Sequence, residues 1–160
     1  MLNAIPKAWF SWKFSLEEGD GTPVADLLLS SWRERGSVAL RDGLRYTVCS
    51  RGIAGPLLLE AADGSEVAQA TEPSAFRREF AVAHGERQYT LKAISWMRRE
   101  CGVFAEGRQL GRVFPEIFCS RRAQVEIAHE LPLELQASLV WLTLLLWKRQ
   151  WDADMMPRGA

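Results

Sequence analysis

Apolar and polar residues first alternate along this chain in steps of two, and near the end they stop alternating. Between Trp9 and Leu16, Phe10, Trp12, Phe14 and Leu16 point one way and Ser11, Lys13 and Ser15 the other, which predicts a half-buried strand. A polar turn, Glu18-Gly19-Asp20-Gly21, separates it from a second apolar stretch, Val24 to Leu29. Further short apolar stretches are punctuated by Asp42-Gly43, Asp63-Gly64, His84-Gly85 and Glu106-Gly107. Asp-Gly between apolar runs is a strong hairpin signal, because glycine accepts the positive φ that tight turns require. The pattern then changes: Leu135 to Trp147 passes without a formal charge and is apolar in nearly every direction around a helix. Pro132 suits the first helical position, Glu134 complements the positive end, and Lys148 and Arg149 stand where the C-terminal dipole favours cations, predicting a helix over 132–151. A helix apolar almost all round must be enclosed. Gln136, Thr143 and Gln150 form a narrow polar stripe, expected on the side nearest water or a polar strand. A bilayer core needs roughly 20 apolar residues, so this run reads as a buried core helix and not a membrane span.

Turn spacing carries the most information. Gly21, Gly43, Gly64, Gly85 and Gly107 lie 22, 21, 21 and 22 residues apart, room for two strands and their turns each time. A coarser period of 43 lies on top. Asp20-Gly21-x-x-Val24-Ala25 returns as Asp63-Gly64-x-x-Val67-Ala68 and, more loosely, as Glu106-Gly107-x-x-Leu110-Gly111. Tyr46-Thr47 and Tyr89-Thr90 keep this offset, as do Arg35, Arg78 and Arg121. Fixed-period similarity implies repeated supersecondary units. Units at 3–45, 46–88 and 89–131, with four strands each, give about twelve antiparallel strands before the helix. Three propeller blades would be too few and would leave the helix without a place. An up-and-down sheet of that size closes into a barrel, and a helix roughly 30 Å long matches its height. The expected fold is therefore mainly β: one domain over 1–160, with a three-repeat barrel over 3–131, a central helix over 132–151 and a tail over 152–160.

The hairpins around Asp42-Gly43, Asp63-Gly64 and Glu106-Gly107, and above all the closing helix from Glu130-Leu131-Pro132 through Trp141-Leu142-Thr143-Leu144-Leu145-Leu146-Trp147, resemble the tubby C-terminal-domain-like superfamily. That superfamily includes tubby proteins, phospholipid scramblases, LURP-one-related proteins and small bacterial relatives. The resemblance spans Trp9 to Trp151 and implies a closed barrel threaded by the helix. The acidic calcium-binding stretch of scramblases has no match, since Glu17-Glu18-Gly19-Asp20 is too short and reads as a turn, and their cysteine-rich acylated and proline-rich segments are missing. Lipid scrambling does not carry over.

At 160 residues the chain can bury a substantial core as one domain. Lysine plus arginine balances aspartate plus glutamate at twenty each, so nothing pulls it as a whole toward nucleic acid. Folded onto an up-and-down barrel, however, the charges separate. The end away from the glycine turns collects Arg33, Arg35, Arg51, Arg77, Arg78, Arg98, Arg99, Arg121 and Arg122 against Glu34, Glu72, Glu79 and Glu100. At the glycine end, Glu17, Glu18, Asp20, Asp42, Asp63, Glu66, Glu86 and Glu106 outweigh Arg41, Arg45, Arg87 and Arg108. A guanidinium fork favours phosphate and carboxylate, and in tubby proteins a basic surface binds phosphoinositide head groups. Those nine arginines are therefore the candidate anion-binding rim, with Arg35, Arg78 and Arg121 as its repeated core. The simpler reading is that they are solvated or paired with neighbouring glutamates for little net energy.

Candidate chemistry is sparse. Two histidines, His84 in an expected turn and His129, with scattered cysteines make a poor metal constellation. Cys49, Cys101 and Cys119 lack Cys-x-x-Cys spacing and read as free thiols of a reducing cytosol. No nucleophile elbow, Walker-type loop or dinucleotide fingerprint occurs; Gly52-Ile53-Ala54-Gly55 precedes Pro56 and reads as a connection. The N-terminus carries neither a secretion signal nor a lipid-anchor motif. Of seven tryptophans, Trp12, Trp141, Trp147 and Trp151 are expected to fill the space between helix and wall, leaving Trp9, Trp32 and Trp96 open. Exposed aromatics beside a basic rim would suit a membrane interface, and a filled barrel leaves little room for a large apolar ligand. The reading is a non-catalytic cytoplasmic binding module without cofactor, peripheral at the inner membrane surface. Its expected partner is an anionic lipid or phosphorylated ligand at the arginine rim, with no nucleic acid and no transmembrane segment. The alternatives are a protein-interaction or scaffold domain and, third, an enzyme with a rim site.

Overall fold

The computed structural model describes residues 1–156 except Phe10, Trp32, Ala54, Ala75, Phe76, Trp96 and Cys119. Its elements in chain order are β1 (Leu2–Pro6), β2 (Lys13–Glu18), β3 (Pro23–Leu29), β4 (Gly36–Leu40), β5 (Arg45–Ser50), β6 (Leu57–Ala61), β7 (Glu66–Thr71), β8 (Glu79–His84), β9 (Arg87–Ser95), β10 (Glu100–Ala105), β11 (Arg108–Pro115), β12 (Ala123–Ile127) and α1 (Leu133–Met155). Each strand pairs antiparallel with its sequence neighbours, and β1 pairs with β12 through Leu2↔Val125 and Ala4↔Ala123, closing the barrel.

The 43-residue period is a repeat of structure. The three units are β1–β4, β5–β8 and β9–β12. Within each, the second and third strands slip register by a bulge, between Leu16 and Glu17, Leu59 and Glu60, and Val103 and Phe104. One turn chemistry also recurs, between β2 and β3, β4 and β5, and β6 and β7. Asp20, Asp42 and Asp63 each accept a hydrogen bond through Oδ1 from the backbone N–H two residues on, at 2.9 Å, an Asx turn that lets the following glycine take positive φ. The Thr22 N–H holds the Asp20 carboxyl below its ordinary range, and the Ser65 hydroxyl, donating at 2.6 Å, followed by the Ser65 N–H, does the same for Asp63.

Alternate residues of every strand point inward. Phe14 and Leu16, Leu27 and Leu29, Val38 and Leu40, Phe80 and Val82, Tyr89 and Leu91, and Val125 and Ile127 converge on α1. The helix is buried from Leu135 through Lys148, with Leu139, Leu142 and Leu146 all enclosed. A void of about 20 Å³ lies beside Trp141 and Leu142. Of the polar stripe, Gln150 is half-buried and meets Arg78 near the barrel mouth, whereas Gln136 and Thr143 are buried and each bonds a nearby backbone carbonyl. Gln136 Nε2 donates to the Leu131 carbonyl at 2.7 Å and Thr143 Oγ1 to the Leu139 carbonyl at 2.9 Å. The Trp141 indole donates to the Leu28 carbonyl at 2.8 Å, tying the rod to β3.

Several sequence expectations shift. The first alternating strand starts at Lys13, and Trp9 lies in the loop before it, exposed. The helix continues one turn past 151 to Met155, which leaves Lys148 and Arg149 upstream of its last turn, where they bind the rim instead of the dipole. Trp151 does not fill the barrel but stands half-exposed beyond its mouth. His84 ends β8 and is not part of a turn.

Candidate functional site

Because the strands run strictly up and down, six loops share one end: β1–β2, β3–β4, β5–β6, β7–β8, β9–β10 and β11–β12. All nine candidate arginines sit in or beside the last five of these loops, and α1 emerges through the middle with its C-terminal turns. The opposite end carries the glycine turns and their carboxylates.

The arginines divide into two groups. One group is committed to holding the structure. Arg121 donates from one Nη to the Ser11 carbonyl at 2.7 Å and from the other to Ala8 at 2.9 Å and to the Trp9 carbonyl, pinning the β1–β2 loop. Arg99 stacks its guanidinium 4.4 Å from the Trp147 ring and donates to the Ser120 carbonyl, while its own carbonyl accepts the Trp147 indole N–H at 2.8 Å. Those contacts hold Arg99 at φ 56, in the left-handed region. Arg78 donates to Gln150 of α1 at 3.1 Å.

The other group faces water. Arg33, Arg35, Arg77 and Arg98 are exposed, and among the described residues their side chains make no hydrogen bond or ion pair. Arg51 and Arg122 are exposed too, each at the limit of ion-pair range from Glu66 (3.8 Å) and Glu116 (3.9 Å).

The rim glutamates explain the difference. A residue the sequence reading placed only as a helix-end cation, Arg149, reaches out of α1 and holds Glu34 and, at 2.7 Å, Glu72, clamping the β3–β4 and β7–β8 loops to the helix. Burial pushes the Arg149 pKa down, but the bonds and charges of these two carboxylates together outweigh it and raise it. Glu100 is engaged by Arg112, which also binds Glu126 at 2.8 Å. Three of the four expected counter-charges are thus taken by cations outside the nine, and four arginines keep their forks available.

Large apolar side chains gather at the same end. Trp9, Ile53, Met97, Ile117, Phe118, Trp151, Met155 and Met156 are exposed there, against Met1 and Leu44 at the glycine end. Trp32, Trp96 and Cys119 lie outside the described residues. Of the remaining thiols, Cys49 is partly buried and Cys101 fully so, and burial raises the pKa of both. Among the described residues no three metal-ligating side chains cluster, and no helix is long and apolar enough to cross a membrane.

No protein-family model matches the chain, and no curated protein matches it. One solved structure shares its fold. It is a crystal structure of a protein from Arabidopsis thaliana, 14% identical, superposing with a TM-score of 0.63 over 93% of this chain and 90% of that one. At this identity the likeness is one of fold alone.

Proposed function

We propose that this protein is a non-catalytic binding module of the tubby-like, scramblase-like and LURP-one-related type, which docks on anionic membrane lipid through its arginine end. One observation carries the reading: unengaged arginines and exposed apolar loop tips occupy the same end of the barrel. Arg33, Arg35, Arg77 and Arg98 offer phosphate-binding forks around the rim, and Trp9, Ile53, Met97 and Phe118 project between them. Arginine gains energy at the head-group level, and apolar tips gain by leaving water for the layer beneath. The acidic glycine end would be repelled by the same surface, so the field orients the barrel with α1 along the membrane normal. The module would act in the cytoplasm, peripheral to the inner leaflet.

Vesicle sedimentation tests this. With about 1 kcal/mol per surface arginine, R33A/R35A/R77A/R98A is expected to weaken binding to phosphatidylserine-containing vesicles by roughly a thousandfold. Raising the salt severalfold should release the parent protein. A quadruple variant that binds like the parent, or a parent that binds neutral phosphatidylcholine equally well, refutes the proposal.

A further inference from the structure

One side of the arginine end is hollow. Between the β1–β2 loop, the β11–β12 loop and the last turns of α1 lies a groove of about 620 Å³, within the range that holds a small molecule. Its walls are Trp9, Trp12, Ile117, Phe118 and Trp151, and Arg121 and Arg122 stand at its polar edge. Four of those five apolar side chains are exposed, Trp9 at 83% and Phe118 at 81%, so the protein keeps a concentrated apolar surface in contact with water here. An exposed apolar surface gathered around a concavity is a mark of binding.

The charge beside it narrows the chemistry. Arg121 is partly buried, and burial lowers its pKa. Its three hydrogen bonds go to neutral carbonyl oxygens, and among the described residues no carboxylate pairs with it. Those bonds use three of the five guanidinium N–H groups, and Nε and one Nη hydrogen are not among them. Its guanidinium lies 5.6 Å from the Trp12 ring, which forms the groove's inner wall. The other cation against Trp12, Lys148, is neutralised by Asp152 at 2.6 Å. Arg122 adds a second, exposed charge with a loose partner. An apolar trough with an uncompensated, partly desolvated cation at its edge suits a ligand that is apolar along its length and anionic at one end.

We propose that this groove binds a single-chain anionic amphiphile, a fatty-acid-type carboxylate or an alkyl phosphate, one molecule at a time, with its head on Arg121 and Arg122 and its chain along Trp9, Trp12, Phe118 and Trp151. This site is distinct from Arg33, Arg35, Arg77 and Arg98 and does not rest on the membrane-docking reading. The ligand is taken as a free monomer, since the trough accepts the chain as well as the head.

Calorimetry, with tryptophan fluorescence as a second readout, tests this using dodecanoate, dodecyl phosphate and the dodecyltrimethylammonium cation, all below their critical micelle concentrations. Both anions should bind saturably at one per chain, and the cation of equal chain length at least tenfold more weakly. F118A and W151A, surface changes that leave the barrel intact, should each weaken anion binding about tenfold or more, and R122A should reduce the preference for anion over cation. Arg121→Ala also unpins the β1–β2 loop, so the other three variants carry the test. Equal affinity for anion and cation, no saturable binding, or binding unchanged in F118A and W151A overturns the proposal. So does binding that appears only when the same anions are presented in vesicles, which would assign the aromatics to the membrane surface. Vesicle binding by R33A/R35A/R77A/R98A is scored separately, so either reading can fail alone.

Discussion

Shortening Leu139 to alanine probes the architecture directly. The side chain is fully buried at mid-helix and faces a wall of twelve strands, each hydrogen-bonded on both sides with no free edge. Three lost carbons cost about 2.4 kcal/mol in transfer free energy at ~0.8 kcal/mol each. The gap they leave, roughly 70 Å³ at ~24 cal/mol per Å³, adds about 1.7 kcal/mol if the surroundings do not collapse. A closed ring of strands cannot shorten its circumference to follow a receding side chain, so the loss should reach about 4 kcal/mol, near the top of the range for such substitutions. In a chain of this length that lowers Tm by about 8–16 °C. Urea unfolding, followed by tryptophan fluorescence and far-UV circular dichroism together, measures the loss and checks two-state behaviour. Leu28→Ala serves as the comparison, because Leu28 is 38% exposed on the outer face of β3 and its truncation should cost below about 1 kcal/mol. A Leu139→Ala loss no larger than that of Leu28→Ala would mean the wall closes on the gap, and the picture of a rigid ring on a filling rod would be wrong.

Three other perturbations address separate parts of the structure. Arg149→Gln removes the charged fork between Glu34 and Glu72; stability should fall by about 1–3 kcal/mol, with faster amide exchange in the β3–β4 and β7–β8 loops, and Arg149→Lys should restore only part of it. Gly36→Ala should be among the most damaging small substitutions, since its Cβ would stand 1.8 Å from the Leu28 carbonyl oxygen and 3.1 Å from the Trp141 indole nitrogen; loss of the folded state on expression, or a Tm drop above that of Leu139→Ala, is expected. The buried Cys101 thiol is pushed up to about 12, so the folded state keeps a proton that the unfolded chain sheds from about pH 9. Its stabilising contribution is therefore complete below pH 9 and lost as pH rises toward 12, and Cys101→Ala should flatten the alkaline decline in unfolding free energy relative to the parent. Identical slopes between pH 9 and 11 would contradict that assignment.

Much of the architecture was legible because it repeats. Glycines that need positive φ recur where Asp20, Asp42 and Asp63 build the same turn, and a chain that reverses at regular intervals has few ways to arrange itself around a helix without a polar face. Side-chain partners across the fold were less legible. Sequence placed Glu34 and Glu72 near the rim but could not show that Arg149, more than 70 residues away, would take both. Arg35, Arg78 and Arg121 occupy matching places in the three units, yet one faces water, one meets Gln150 and one is held by carbonyls, because the helix they surround has no threefold symmetry. Thr143 and Gln136 read as a stripe facing water or a polar strand because helical periodicity records polarity and not the local carbonyl that satisfies it. The groove beside Trp12 gave no linear signal, since its walls come from both termini of the barrel and from the helix.

The order of synthesis imposes a burden on this fold. Everything that lines the interior is made before the segment that occupies it, and the seam between β1 and β12 joins positions about 120 residues apart. Until Leu133 and its successors arrive, Phe14, Leu27, Val38, Phe80 and Val125 have nothing to rest against, and a nascent chain must hold a greasy trough open in water. Such closure is slow, because distant ends must meet before any contact between them rewards the search. The 23 residues of α1 therefore act as a keystone, and a chain interrupted before them would be an aggregation-prone client for chaperones.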